Sequence, residues 1–208
     1  MKRLLLILLI VAMGISLPLI NKAQDTAKGV RLVMFLPKPL DDDWTRWIVG
    51  EWEGSGDSTA GKGKGTSKIE LGLNGQFLIC SGQAELTEIN AEYLKKNMQA
   101  SDEEIERFKS SPYKALEIYT ADKKNGDIVG YLFDSLRCMA QGRGKREGNK
   151  ETIEWQWING QKSTRITEKI SDDKMAVIEK TPMPDGSTME DKGEMIRIKK
   201  EDKGARNH

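Results

Sequence analysis

The sequence predicts an all-β protein, an antiparallel up-and-down barrel of about 8–10 strands with a short helical insertion. Three observations predict it. Turn signals recur at short intervals from Trp44 onward, at Asn74-Gly75, Asn125-Gly126, Gly148-Asn149, Asn159-Gly160, Asp172-Asp173 and Pro184-Asp185-Gly186. Asn-Gly and Asp-Gly pairs supply the positive φ angles that tight hairpins need. Between the turns, apolar residues alternate with period two, as in Ile69/Leu71/Leu73, Val129/Tyr131/Phe133, Ile153/Trp155/Trp157 and Ile196/Ile198. Helical patterning is confined to one stretch, so the strands form a meander rather than βαβ units. A long meander leaves two open edges, and closing into a barrel removes them.

Residues 1–23 read as a secretory signal peptide. Lys2 and Arg3 form a positive start, Leu4 to Ile20 an apolar run, and Ala23 a small residue for cleavage. The expected location is therefore secreted or periplasmic, with no stable membrane insertion after cleavage. Residues 24–43 read as a flexible N-terminal segment. Residues 44–200 form one β-barrel domain with a helical insertion near 90–110, and 201–208 a flexible tail. Strands are expected at 45–54, 64–73, 76–86, 114–120, 127–134, 136–145, 151–158, 163–170, 174–181 and 188–199. In the insertion, a first helix spans 91–99, with Leu94 and Met98 on one face. Ser101 and Glu104 then form a capping box for a second helix whose Ile105 and Phe108 face the sheet.

Cleavage after Ala23 removes Lys2, Arg3 and Lys22 from the 33 basic residues and leaves 30 against 32 acidic ones, a net charge of about −2. An evenly mixed surface of that kind excludes a nucleic-acid partner, which needs a basic face. Export permits a disulfide, and Cys80 and Cys138 are the only two cysteines. Both fall in strand-like stretches, which leaves a bridge between neighbouring strands and two separate buried thiols as the alternatives. The only histidine is His208, the last residue, so histidine triads, histidine zinc sites and histidine-ligated haem are excluded. No metal and no cofactor is expected. Gly56 to Lys62 approaches a phosphate-binding loop, but Gly63 stands where Ser or Thr is needed and a strand follows instead of a helix. Arg143, Lys145 and Arg146 read as a solvated hairpin tip.

Gly50-Glu51-Trp52 has the Gly-x-Trp form that opens lipocalin-type barrels, and Arg197 in the last strand is placed to lay its guanidinium over the Trp52 indole. The run Gly50 to Gly56 (Gly-Glu-Trp-Glu-Gly-Ser-Gly), then Leu73 to Leu78, Tyr119, Gly130 to Ser135 and Pro184-Asp185-Gly186, resembles the DUF1579 family over about 44–199. The resemblance implies a calycin-like barrel and brings no established reaction. The helical insertion departs from the family's compact form.

Carboxylates offer the remaining route to chemistry. Glu168 shares a face with Ile166 and Ile170, and Glu179 with Met175 and Val177, so both are expected to point inward. With Tyr131, Phe133, Trp155 and Trp157 they would form an apolar pocket with polar tips. The alternative pairs both glutamates with Arg165 or Lys180 at the rim. Three functions follow: a binding module for a small, partly hydrophobic ligand, which leads; a carboxylate-dependent isomerase or hydrolase on a small molecule; and a non-enzymatic interaction scaffold.

Overall fold

The computed structural model describes residues 38–199 except Lys123 and Pro184. The expected signal segment 1–23, most of the segment 24–43 and the tail 201–208 lie outside the described residues. A short helix, α1 (Asp43–Ile48), precedes β1 (Gly50–Ser58), β2 (Gly61–Gly72) and β3 (Phe77–Ile89). Two helices follow, α2 (Ala91–Met98) and α3 (Asp102–Ser110). The rest is strand: β4 (Tyr113–Ala121), β5 (Asp127–Asp134), β6 (Met139–Glu147), β7 (Lys150–Trp157), β8 (Lys162–Ser171), β9 (Lys174–Pro182) and β10 (Thr188–Arg197). Each strand pairs antiparallel with the next, and β1 pairs with β10, so the ten strands close into an up-and-down barrel.

The first expected strand, 45–54, is half helix. Asp42 caps α1, accepting from the Thr45 amide at 2.9 Å and from the Thr45 hydroxyl at 2.8 Å. Trp44, Trp47 and Ile48, spaced three and four apart, then share one buried face. Residues just before α1 are packed rather than loose. Leu40 is buried, and its amide donates to the Gly75 carbonyl at 2.8 Å.

In an up-and-down barrel, turns alternate between two ends. At one end α1 plugs the barrel. Trp44, Trp47 and Trp52 stack edge to face there, with centroid separations of 4.8 and 5.6 Å. Ile48, Ile69, Leu78, Tyr119, Ile128, Ile153 and Met175 fill the space above them. Arg197 seals the seam. Its Cζ stands 4.2 Å from the Trp52 ring, and its guanidinium donates to the carbonyls of Trp47 and Val49.

The opposite end carries the β1–β2, β5–β6, β7–β8 and β9–β10 turns and the α2–α3 insertion. Asn90 caps α2 by accepting from the Tyr93 amide at 3.1 Å, and Ser101 and Glu104 form the expected capping box on α3. Leu94 and Ile105 are buried; Phe108, expected against the sheet, is largely exposed. Cys138 lies in the β5–β6 turn, because β6 starts at Met139 rather than 136. Cys80 is on β3, and both thiols are free, so no bridge forms.

Candidate functional site

Strand parity decides which side chains reach the interior. On β7 the inward set is Glu151, Ile153, Trp155 and Trp157. On β9 it is Met175, Val177, Glu179 and Thr181, so Glu179 points inward as expected. Glu168 does not. The inner face of β8 carries Ser163, Arg165 and Thr167, which places Ile166, Glu168 and Ile170 outside. Glu168 pairs with Lys150 at 3.3 Å and accepts from Asn149 on the rim. Tyr131 (51% exposed) and Phe133 (39% exposed) also face solvent, because Ile128, Gly130 and Leu132 take the inner side of β5. Of the expected lining residues, the structure brings Trp155, Trp157 and Glu179 inside and leaves Tyr131, Phe133 and Glu168 outside.

Above the apolar plug lies a layer of buried charge. Arg165 spans the interior to grip Glu117 with both terminal nitrogens, Nη2 to Oε2 at 2.5 Å, while its Cζ lies 5.1 Å from the Trp155 ring. The paired carboxylate holds Arg165 firmly charged despite its burial. Below it, Arg146 Nε meets Glu151 at 2.7 Å, and its Cζ lies 5.8 Å from the Trp44 ring. Arg146 is thus buried, unlike the outward Arg143 and Lys145 with which the sequence grouped it. Burial pushes the Glu151 carboxyl up against the pull of Arg146. Burial likewise pushes the Cys80 thiol up to about 12; Ser67 Oγ sits 3.2 Å from its sulfur. That thiol is unreactive packing.

The open half, above the Glu117–Arg165 pair, is hollow. A cavity of about 370 Å³ runs along the inner face of the consecutive strands β9, β10, β1, β2 and β3, lined by Gly54, Gly56, Gly63, Gly65 and Gly193 and by Ala84, Leu86, Val177, Met195, Glu179 and Asp191. The glycines matter sterically. A Cβ at Gly54 would collide with the Glu194 carbonyl, and one at Gly56 would stand 2.6 Å from the Lys192 carbonyl. These strands coil more tightly than side chains allow, and the wall stays bare. Glu179 and Asp191 are register partners on β9 and β10, side by side on the inner surface. Burial raises the Glu179 carboxyl, opposed by Arg165 and a hydrogen bond from Ser163 and reinforced by Glu117 and Asp191. Burial also raises Asp191, with Ser58 opposing, and its Oδ1 is enclosed without a hydrogen-bond partner. Trp157 Nε1 donates to Ser163 Oγ at 3.2 Å beside this chamber.

Other hollows lie outside the barrel. One of about 780 Å³ follows the outer surfaces of β2 to β5, and one of about 590 Å³ runs between the helical insertion and the β5–β6 turn. The first owes its concavity to strand twist and is bordered by solvated side chains such as Lys68 and Lys114. The interior chamber joins apolar walls to buried charge.

Glu117, Arg146, Glu151, Arg165 and Asp191 are interior groups that sequence patterning missed. Their parity was available: Glu117 alternates with Tyr119, and Asp191 with Met189 and Met195. Among the described residues no group of three His, Cys, Asp or Glu is arranged to hold a metal ion, and no helix is long and apolar enough to cross a membrane.

No family model matches the sequence, and no curated protein matches it. Solved structures do match. The S-type phycobiliprotein lyase CPES from Guillardia theta aligns with a TM-score of 0.48 at 11% identity, over 76% of this chain and 92% of that one. A redesigned β-barrel gives 0.39 at 11% identity over 74% and 95% of the two chains. A de novo designed fluorescence-activating β-barrel gives 0.33 at 17% identity over 76% and 100%.

Proposed function

We propose that this protein is an exported binding module that holds a small, partly hydrophobic molecule in the open half of its barrel. The observation that carries the reading is the chamber itself. One end of the barrel is packed shut by tryptophans, while the other keeps a hollow of about 370 Å³ with apolar walls and few polar groups. Small-molecule sites have this composition, and the volume falls within their usual range of about 300–1,000 Å³. Export rests on the pattern of residues 1–23, and kinship with DUF1579 proteins on the motifs between 44 and 199.

Native mass spectrometry of the protein, against its denatured mass, tests the reading directly. A small-molecule mass released on denaturation supports it. A bare protein that also fails to bind an environment-sensitive apolar dye, with no difference between wild type and the chamber-filling variant Val177→Trp, overturns it.

The carboxylate-dependent enzyme is the second reading, and one observation favours it. Glu179 and Asp191 lie together in a cavity with carboxyls raised by burial, as general acids are. The pair originally expected, Glu168 with Glu179, straddles the sheet and cannot act together.

A further inference from the structure

The charge on the inner surface is uneven. Each arginine that reaches the core is already engaged: Arg146 with Glu151, and Arg165 with Glu117 through both terminal nitrogens. Glu179 and Asp191 have no ion-pair partner among the described residues, although Arg165 lies close enough to pull on Glu179. The neighbouring Lys180 and Lys192 do not help. They stand on the outer face, where both meet Glu190, at 3.4 and 2.5 Å. Two adjacent carboxylates on the chamber wall thus have no cation of their own, because Arg165, across from Glu179 on β8, is committed to Glu117.

Four buried side-chain polar atoms among the described residues lack a hydrogen-bond partner: Trp44 Nε1, Arg146 Nη2, Trp155 Nε1 and Asp191 Oδ1. Of these residues Asp191 lines the chamber, and its Oδ1 is an acceptor enclosed in the chamber wall. Buried polar atoms are nearly always paired, so an open acceptor in a cavity wall is placed to take a donor from a ligand.

Resting on the chamber reading above, we propose that the ligand is a small primary or secondary amine with an apolar body. Its ammonium sits between Glu179 and Asp191, and its apolar part lies along Val177, Met195 and the bare glycine wall. An ammonium brings up to three donors and one positive charge, which suits two acceptor carboxylates at register-paired positions. A divalent metal suits them less well, because it requires a larger set of ligands than these two side chains supply.

The test uses three matched series on the whole protein. Primary amines with apolar bodies, from butylamine to phenethylamine and tyramine, are compared with alcohols and carboxylic acids of the same shape. Binding is read by thermal shift and calorimetry near neutral pH. Amines are expected to bind at least about 30-fold tighter than the matched alcohols, with the acids not binding. Asp191→Asn and Glu179→Gln should each remove most of that preference, and the double variant should bind alcohols as well as amines. Near-UV circular dichroism of the tryptophans checks that the variants keep their packing. Equal binding of amines and alcohols to the wild type overturns the amine assignment and leaves the chamber reading standing. Failure of all three series overturns both.

Discussion

At the scale of single residues, three side chains show opposite uses of buried charge. Arg197 covers the Trp52 ring and caps the carbonyls of Trp47 and Val49, so it serves α1, β1 and β10 together. Arg197→Ala should destabilise the fold by about 2–4 kcal/mol in urea denaturation, because the ring loses its cation and two carbonyls lose their donor. Arg197→Lys should recover part of that. This contact was readable beforehand, since Gly-x-Trp near one end and an arginine near the other are local signals. Glu179 and Asp191 act in the other direction. Their carboxyls are raised above the ordinary values of 4.5 and 3.8, chiefly by burial. Such groups favour the native state fully only below their unfolded pKa, and that contribution is lost as pH rises through the folded pKa. Arg165, Glu117, Ser163 and Ser58 face the pair. Asp191→Asn with Glu179→Gln should therefore match wild-type stability near pH 3 and exceed it near pH 7, as measured by denaturation at both values.

At the scale of elements, helix signals were legible and strand facing was not. The α3 capping box is written in Ser101 and Glu104, and the Glu104 carboxyl is held low by its hydrogen bonds from Ser101. Ser101→Ala should cost about 1 kcal/mol of local helix stability, seen as faster amide exchange across 102–110 with the barrel strands unchanged. Strand facing fails for a physical reason. Pattern reading assumes that apolar side chains go inward, but the inner face of β8 carries Ser163, Arg165 and Thr167 while Ile166 and Ile170 meet solvent. On β5 both faces are apolar, so alternation could not choose between Tyr131 and Leu132. Gly130 breaks the tie. A Cβ there would collide with that of Tyr119, so the inner surface is the one that needs glycine. The first strand misled for another reason, since the Trp44, Trp47 and Ile48 spacing belongs to a helix that ends two residues before β1 begins.

At the scale of the whole molecule, the sequence conveyed a closed barrel but not its polarity. Turn spacing counts strands, whereas the division into a plugged end and a hollow end depends on contacts between distant segments. Glu117 on β4 finds Arg165 on β8 through closure alone, whereas Asp191 meets Glu179 across the local β9–β10 hairpin. Closure also governs the order of events in folding. Nine of the pairings join neighbouring strands through short local connections or the helical insertion, but the seam joins the first strand to the last. Val49 and Arg197 meet across 148 residues of chain. Until β10 is available, β1 and β9 are unpaired edges and the chain is a curled open sheet. The slow step is therefore expected to be docking of the final strand, because long-range closure gains its contacts only after the entropy of the loop has been lost. A circular permutant that joins residue 199 to residue 42 through a short linker and opens the chain at the 148–149 turn would convert this seam into a neighbouring pair. In the permutant β7 comes first and β6 last, so the slow phase in stopped-flow tryptophan fluorescence should become sensitive to substitutions across β6–β7 and lose its sensitivity to those across β1–β10, while a slow phase that still tracks β1–β10 would place the barrier elsewhere.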